Sequence, residues 1–316
     1  MYLDIPNFSE IKRAHQKIVK FITKTPVLTS HSIDDIVGAK VFLKCENFQK
    51  VGSFKMRGAT NVIMSYLPEQ RTNGFATHSS GNHAQAVALA AKLAGTKAYI
   101  VIPENASEVK KNAVIEYGAE VVFCEPTEAA REDTCAKILE ETNAIFVPPF
   151  NDSRIIAGQA TAAKELIEEQ PDLDYIVTPV GGGGLAAGTA LAANYVSPTT
   201  KVILGEPENV NDTYKSFKTG KLTPVGKKTS IADGLLVSLG ELNFRIIKEY
   251  VDDVVTVKEE EIVSAMKLIW ERMKIIIEPS SAVAIATIIK EKDRFAGKNV
   301  GVIVTGGNVD LTALPF

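Results

Sequence analysis

Residues 175–196 read YIVTPVGGGGLAAGTALAANYV, and this stretch decides the fold. Its first six residues have the length and the β-branched, apolar composition of a buried strand. From Leu185 onward, apolar residues recur at three- and four-residue spacing, which is typical of a helix. Four glycines separate the two segments. A strand that leads through a short loop into a helix is the repeating unit of a parallel sheet covered by helices.

The same alternation continues along the chain from about residue 74. Strands are predicted at 74–79, 98–103, 120–124, 145–148, 175–180, 201–205, 253–257 and 299–305. Helices are predicted at 83–93, 107–117, 128–142, 157–169, 185–195, 259–274 and 279–290. This pattern predicts an α/β protein with two doubly wound open-sheet lobes. Tandem prolines at 148 and 149 end one strand, so we predict a small domain at 74–150 and a large domain at 1–73 plus 151–316.

The composition excludes several classes of protein. With 316 residues, of which 45% are hydrophobic, the chain can bury a large core in one or two domains. A net charge of −3 without a basic patch argues against nucleic-acid and anionic-membrane partners, which leaves small molecules. Cys45, Cys124 and Cys135 lack the paired spacing of a disulfide framework or a zinc site. Neither a signal peptide nor a membrane-spanning stretch is evident, so we expect a cytoplasmic protein.

The glycines Gly181, Gly182, Gly183 and Gly184 predict a phosphate site. Bare backbone amides and a helix N-terminus would meet there. The phosphate could belong to a dinucleotide, because Gly188 and Glu206 complete a pattern close to the Rossmann fingerprint. The third glycine is one place late for that fingerprint, however, so a phosphate monoester is favoured. A purely structural glycine turn is the remaining interpretation.

Three further segments follow apolar runs or carry reactive side chains. Ser53 to Gly58 places Lys55 in an apolar-flanked, glycine-closed turn, where a lysine can act as a nucleophilic amine, although most lysines are solvated surface charges. Residues 79–83, SSGNH, offer amides and hydroxyls to an anion such as a carboxylate, although such residues also cap ordinary helices. Residues 305–308, TGGN, close the last strand. Because the carboxyl ends of parallel strands share an edge, we expect one common pocket.

In this order, these segments resemble the fold-type II pyridoxal phosphate enzymes, whose fold is like that of the tryptophan synthase β chain. Within them, the chain is similar to the group of serine racemases and serine/threonine dehydratases. The resemblance spans nearly the entire chain and rests on residues 46–59, 79–83, 156–159, 181–184, 231–234, 278–279 and 305–310.

The resemblance implies a set of site residues. Lys55 would bind pyridoxal 5'-phosphate covalently and move the substrate α-proton, and Ser80 would be a second base on the opposite face. The cofactor-binding residues would be Phe54, Lys55, Asn82, Gly181, Gly182, Gly183, Gly184, Gly234 and Thr305. The substrate-binding residues would be Ser79, Ser80, Asn82, His83 and Arg131. Taken alone, Arg131 would be a solvated charge early in a helix. The resemblance implies that it binds a second carboxylate of the substrate.

The resemblance also implies a divalent cation, an effector and a partner. Glu206 and Asp212 would bind Mg²⁺ or Ca²⁺ with their carboxylates, and Val210 would contribute its carbonyl. All three groups are oxygen ligands, which suit these ions. An acidic turn without a metal is the plainer interpretation of the same residues. ATP is a candidate effector, which Lys50 and its neighbours do not decide. A homodimer is expected.

The implied reaction is elimination from L-serine or a related β-hydroxy amino acid, which yields a 2-oxo acid and ammonia, together with racemisation of serine at the same site. Two alternatives are a protein that is primarily a serine racemase and a threo-3-hydroxyaspartate dehydratase. Pro149-Phe150 and Leu235-Leu236-Val237 depart from the more polar residues of mammalian racemases, which weakens the racemase interpretation. A β-replacement synthase fits the SSGNH segment less well, and a non-catalytic cofactor carrier is a further alternative.

Overall fold

The computed structural model describes residues 4–106, 108–224, 226 and 229–316. Ten strands are assigned: β1 Val27–Leu28, β2 Lys40–Cys45, β3 Phe75–His78, β4 Ala98–Pro103, β5 Glu120–Cys124, β6 Ile145–Phe146, β7 Tyr175–Pro179, β8 Lys201–Pro207, β9 Asp253–Val257 and β10 Asn299–Val304. They form a six-stranded sheet with the order β1-β2-β10-β7-β8-β9 and a four-stranded sheet with the order β5-β4-β3-β6. Every neighbouring pair is parallel except β1 and β2.

Helices connect the strands, as parallel pairing requires. Their bounds are α1 Phe8–Ile18, α2 His31–Val37, α3 Lys55–Ile63, α4 Asn82–Leu93, α5 Glu108–Glu116, α6 Glu128–Thr142, α7 Ser153–Glu169, α8 Gly184–Val196, α9 Asp212–Thr219, α10 Glu241–Tyr250, α11 Glu259–Met273, α12 Pro279–Lys290 and α13 Lys292–Phe295. The predicted α/β fold with two open sheets is confirmed, and all strands of the smaller sheet fall between residues 75 and 146. One predicted helix began at Ser107, which lies outside the described residues.

All eight predicted strands are present, but two strands and several helices before and between them were not predicted. Strand β2 contains Lys40 and Lys44, so it does not read as a buried apolar run. Helix α3 was predicted to be a turn. All residues from Met56 to Ile63 are buried, and polar Arg57, Thr60 and Asn61 interrupt the apolar positions, so the segment does not read as an amphipathic helix. Both errors have one cause, which is that polar side chains are buried there.

The large sheet carries a core on each face. One cluster of buried apolar side chains joins α7, α8 and α10 to the sheet, and the other joins α2, α11 and α12 to its opposite face. Helices α7 and α8 approach closely, because a Cβ on Gly188 would lie 2.7 Å from the backbone nitrogen of Ala160. Each fully buried Val, Leu or Ile contributes roughly 1.5–3 kcal/mol. The sheet is therefore a rigid platform for the loops at its carboxyl edge.

The described parts of the chain include no helix that is both long enough and apolar enough to cross a bilayer. The three cysteines are buried free thiols. Burial raises the pKa of Cys45 to about 12 and the pKa of Cys135 to about 11, so these thiols are inert at neutral pH.

Candidate active site

Lys55 is the first residue of α3, and two contacts with the last strand fix the segment before it. The backbone N–H of Phe54 donates to the carbonyl of Thr305 at 3.0 Å, and Ser53 forms an isolated bridge with Gly306. Lys55 as a whole is half-buried, and its amine donates to the carbonyl of Pro149 at 2.9 Å. Burial lowers the pKa of Lys55 to about 8, and the nearby charge of Glu278 partly opposes that shift. A neutral, nucleophilic amine is therefore accessible near neutral pH.

The glycine loop follows β7 and leads into α8. Gly183 has a φ of 90°, a left-handed conformation that favours glycine. A Cβ on Gly182 would lie 2.4 Å from the ring of Phe150, and a Cβ on Gly183 would lie 2.5 Å from Leu239 Cδ1. Side chains are thus excluded from this buried loop, and its backbone amides stay bare. This cradle and the N-terminus of α8 suit the phosphate of pyridoxal phosphate.

Asn243 on α10 orients the glycine loop. Its amide Nδ2 donates to the carbonyl of Gly182 at 2.6 Å, and the N–H of Gly240 donates to the same carbonyl at 3.1 Å. The carbonyl is therefore held toward α10. Asn243 is fully buried, and sequence reasoning missed it because a single asparagine within an amphipathic helix carries no local signal.

Lys55 and the glycine loop meet through residues 149 and 150. The carbonyl of Pro149 accepts from Lys55, and the ring of the next residue, Phe150, lies against Gly182. Gly234 approaches from another loop, where its N–H donates to Ser280 Oγ at 3.1 Å. The next residue, Leu235, packs against Gly181, because a Cβ on Gly181 would lie 2.8 Å from Leu235 Cα. The predicted amine, phosphate loop and Gly234 are therefore together.

Asn82 belongs to a hydrogen-bonded group that joins the two sheets. Its Nδ2 lies 3.0 and 3.1 Å from the two carboxylate oxygens of Glu278, and its Oδ1 accepts from Asn308 Nδ2 at 2.8 Å. The N–H of Asn308 also donates to Glu278, at 3.3 Å. These contacts fix the orientation of the Asn82 amide. Glu278 and Asn308 stand in the motifs quoted from the sequence, but no role was predicted for either.

Thr305 lies at the end of β10 and is 3% exposed. Its hydroxyl is 2.8 Å from Ser281 Oγ, and Ser281 Oγ also accepts from the N–H of Gly306 at 2.7 Å. The group at this position is therefore a neutral hydroxyl held by a second hydroxyl. A cofactor nitrogen that faced it would not meet a negative charge.

The SSGNH segment follows β3 and leads into α4. Ser79 and Ser80 are half-buried, and no side chain of the described residues caps α4, so the alternative of a capping cluster is wrong. The His83 ring is 3% exposed, and its Nε2 lies 3.1 Å from the carbonyl of Val147. Burial, with help from the positive charge of Lys55, lowers the pKa of His83 to about 3. The imidazole is therefore neutral and fixes the start of α4.

Arg131 lies near the beginning of α6 and is half-buried. Its side chain makes no hydrogen bond or ion pair with the residues that the structure describes. Burial and the charge of Arg131 together lower the pKa of His78, and α6 packs on β3. The His78 ring stacks on Phe146 with centroids 5.5 Å apart. Arg131 thus lies on the helix that packs against β3, the strand that leads into the SSGNH segment.

The predicted metal ligands lie at the end of β8 and directly after it. Glu206 and Asp212 are 1% and 3% exposed, and Val210 is 1% exposed. Glu206 accepts from the N–H groups of Thr213 and Tyr214 at 2.9 and 2.8 Å, while Asp212 accepts from that of Leu239 at 3.0 Å. Burial raises the pKa of Glu206 to about 8 and that of Asp212 to about 6, and the Asp212 charge adds to the shift of Glu206. Two buried carboxylates so close together favour protons or a cation.

Among the residues that the structure describes, no group of three or more His, Cys, Asp or Glu side chains could hold a metal. A cation at Glu206 and Asp212 would therefore need a backbone carbonyl and water as further ligands. Such a set of hard oxygen ligands suits Mg²⁺ or Ca²⁺.

Comparisons with known proteins agree with this geometry. Residues 18–306 match the model of the pyridoxal-phosphate dependent enzyme family. The chain is 48% identical to the β-hydroxyaspartate dehydratase of Paracoccus denitrificans (strain Pd 1222), over 99% of each chain. It is 50% identical to the serine racemase of Dictyostelium discoideum, over 96% of this chain and 95% of that one. The structure of maize serine racemase superposes with a TM-score of 0.96 at 41% identity, covering 98% of this chain and 95% of that chain. The chain therefore belongs to the pyridoxal-phosphate dependent enzymes, in the group of serine racemases and dehydratases.

Proposed function

We propose that this protein uses pyridoxal phosphate to convert L-serine or a related β-hydroxy amino acid into a 2-oxo acid and ammonia. The observation that carries the proposal is the Lys55 amine, whose pKa is lowered to about 8 and which lies beside the glycine loop. When bound, the cofactor acts as an electron sink for the charge that develops at the α-carbon. The water lost on elimination is regained on hydrolysis, so serine gives pyruvate and ammonia.

The residues of this chain divide the remaining tasks. The amides of the glycine loop and of α8 bind the cofactor phosphate. Asn82, whose amide is fixed by Glu278 and Asn308, is assigned a hydrogen bond to the cofactor ring. The Lys55 amine takes the α-proton, since a base with a pKa of about 8 is partly neutral at neutral pH. The amides of the SSGNH segment bind the α-carboxylate, as the uncapped start of α4 allows.

Arg131 supports hydroxyaspartate as a substrate. Its guanidinium makes no ion pair with any described residue, and its helix packs against β3, which leads into the SSGNH segment. A guanidinium in that position can bind a second carboxylate in bidentate fashion. The relative from Paracoccus denitrificans is named for this substrate class. We therefore propose that Arg131 binds the side-chain carboxylate of β-hydroxyaspartate.

Racemisation of serine is the second candidate activity, and Ser80 is the observation that favours it. Ser80 is half-buried in the segment that binds the α-carboxylate, and its hydroxyl has no hydrogen-bond partner among the described residues. A hydroxyl across the substrate from Lys55 can return a proton to the other face. Phe150, beside the glycine loop, stands where mammalian racemases carry a more polar residue, and this difference favours elimination as the main reaction.

The remaining assignments extend this proposal. Glu206, Asp212 and the carbonyl of Val210 are proposed to bind Mg²⁺ or Ca²⁺, and the raised pKa values of the two carboxylates support this. A homodimer and ATP as an effector, which the family resemblance implies, and the cytoplasmic location expected from the sequence stay predictions.

One experiment separates these activities. The holoenzyme is incubated in turn with L-serine, D-serine, L-threonine and threo-3-hydroxyaspartate, and the oxo acid and both enantiomers are measured in the same sample. We expect oxo acid from a β-hydroxy amino acid, with ammonia in equal amount. Formation of the opposite enantiomer without oxo acid would make the protein a racemase alone. Absence of both products from all four amino acids would refute the proposal.

A further inference from the structure

Arg57 lies two residues after Lys55, and its side chain is fully buried away from the reacting groups. Its guanidinium donates to both oxygens of Glu46, at 2.7 and 2.8 Å, and to both oxygens of Glu165, at 2.8 Å each. A fifth contact runs to Thr161 Oγ1 at 3.1 Å. We call Arg57, Glu46, Glu165 and Thr161 the Arg57 cluster.

Stability alone is a poor explanation for the Arg57 cluster. Lys44 is also fully buried and lies 2.8 Å from Glu165, so two cations face two carboxylates in the interior. Removing ions from water costs several kcal/mol for each ion, and apolar replacements of similar volume are often as stable or more stable. A buried arginine that pairs with two carboxylates fixes the relative orientation of the elements that carry them, because its planar guanidinium can bond both carboxylates in only a few arrangements.

The Arg57 cluster lies beside the point where α3 crosses α7. The backbones touch there, since a Cβ on Gly158 would lie 2.6 Å from Gly58 Cα. The N–H of Gly58 donates to Gln159 Oε1 at 3.1 Å. Thr161 and Glu165 follow on α7, while Glu46 directly follows β2. Arg57 therefore ties α3 to a helix and to a strand of the large sheet at once.

Small rotations of α3 would displace the Lys55 amine. The Cα atoms of a helix lie about 2.3 Å from its axis, so an extended lysine nitrogen lies about 8 Å from it, and a rotation of about 10° moves that nitrogen by roughly 1.4 Å. A misplacement of about 1 Å can cost on the order of 100-fold in rate. Contacts that fix the rotation of α3 thus control where the amine lies.

We infer that the Arg57 cluster is a positioning device for Lys55: by fixing α3 on α7 and β2, it holds the amine beside the Pro149 carbonyl and the glycine loop. Arg57 is then a positioning residue and takes no part in proton transfer. This inference rests on the proposed role of Lys55.

The test uses Arg57→Lys, which keeps the charge but cannot form two bidentate pairs. The cofactor is removed from the full chain, and acetylation of Lys55 by acetic anhydride is followed by mass spectrometry over a series of pH values. The wild-type midpoint is expected near pH 8. In R57K the amine leaves its buried place, so we expect the midpoint to rise by about one pH unit or more toward the ordinary lysine value of 10.5. In the holoenzyme we expect kcat to fall by about 10- to 100-fold while KM changes little.

Two further variants control for a purely structural effect. Thr161→Val removes one acceptor of Arg57 at constant shape, so it should shift the midpoint in the same direction but less, and it stands in for R57K if that variant does not fold. Arg294→Lys loosens another arginine pair, with Asp253 at 2.8 Å, at the amino end of β9, which is the sheet edge opposite the active-site loops. R294K should leave the midpoint and kcat unchanged.

A folded R57K, or T161V in its place, with the wild-type midpoint and the wild-type kcat would overturn the inference. An equal shift in R294K would also overturn it, because the effect would then reflect lost stability in general. Failure of the proposed function has a different signature: the wild-type holoenzyme would carry no cofactor on Lys55, whereas the amine titrations of wild type and R57K would still differ.

Discussion

Two segments that meet at the active site are built in opposite ways. The glycine segment, residues 175–196, consists of a buried apolar strand, bare glycines and an alanine-rich helix. The lysine segment, residues 40–63, buries Lys44, Glu46, Arg57 and Asn61 and depends on Glu165, which lies 108 residues beyond Arg57. The glycine segment folds from local pattern and close packing. The lysine segment requires charged partners from another part of the chain, so the reactive amine is held by long-range contacts.

The largest effect should come from breaking the charge balance of the lysine segment. Glu165→Ala would leave Arg57 and Lys44 without one carboxylate in the interior, which should lower the free energy of unfolding by about 3–5 kcal/mol. Chemical denaturation at neutral pH measures this. Leu191→Ala, fully buried in α8, is the matched change in the glycine segment and should cost about 2–5 kcal/mol through its cavity alone.

The pH dependence separates these two variants. Burial alone would raise the pKa of Glu165, but hydrogen bonds from His15 and Arg57 hold it well below its ordinary value of 4.5. A carboxyl whose pKa is lower in the folded state stabilises the fold at pH values above its unfolded pKa. This contribution is lost as the pH falls from the unfolded pKa toward the folded pKa. The difference between wild type and E165A should therefore shrink below about pH 4.5, whereas that for L191A should not. A constant difference for E165A would contradict the charge account.

In the glycine segment the decisive property is the missing side chain. Gly183→Ala combines a φ of 90° with a collision against Leu239, so it should cost about 2–3 kcal/mol and weaken cofactor binding. Gly95→Ala is the matched control, since Gly95 also has a positive φ, 70°, but has open space around its Cα. G95A should cost only about 1 kcal/mol and leave cofactor affinity unchanged. Equal cofactor affinity in G183A and wild type would exclude the loop as the phosphate site.

Much of the fold and part of the site follow from the sequence. The strands from β3 onward and the loops that follow β3, β7 and β10 were located, because parallel strands buried on both faces leave a strong apolar pattern. Residues with no local pattern were missed. Lys44 interrupts the apolar pattern of β2, and Arg57 interrupts that of α3, so neither element was predicted. Asn243 and Glu278 act through partners distant in the sequence, at separations of 61 and 196 residues. Burial of a polar group is decided by such partners, and a local window does not contain them.

The proposed metal site combines both kinds of construction, since apolar β8 leads to two buried carboxylates. Without a cation the raised pKa of Glu206, about 8, means that the folded state binds more protons than the unfolded state above about pH 4.5. Stability should therefore fall by about 2–4 kcal/mol as the pH rises toward 8 in the presence of chelator. Added Mg²⁺ or Ca²⁺ should restore it in a thermal melt. Glu206→Gln should remove the response to the ions and leave only the smaller pH response of Asp212, whose pKa is raised to about 6 by burial. A chelated wild type that is insensitive to pH and to both ions would mean that these residues form an acidic turn without a metal.

The smallest effect is expected at Arg131, outside both segments. Arg131→Ala should lower kcat/KM for threo-3-hydroxyaspartate about tenfold, the value of one charge-assisted pair, and change that for L-serine less than about twofold. Lys137→Ala, an exposed charge on the same helix, is the control and should change neither. Equal losses for the two substrates in R131A would show that the arginine supports the fold and binds no second carboxylate.

The central claim is that the lysine segment delivers the Lys55 amine to a cofactor held by the glycine segment. Borohydride reduction of the holoenzyme, followed by peptide mapping, tests it most directly. We predict one pyridoxyl group per chain, on Lys55, and neither adduct nor oxo-acid formation in Lys55→Ala, with exposed Lys40→Ala unchanged. An adduct on another lysine, or full turnover by K55A, would contradict the account.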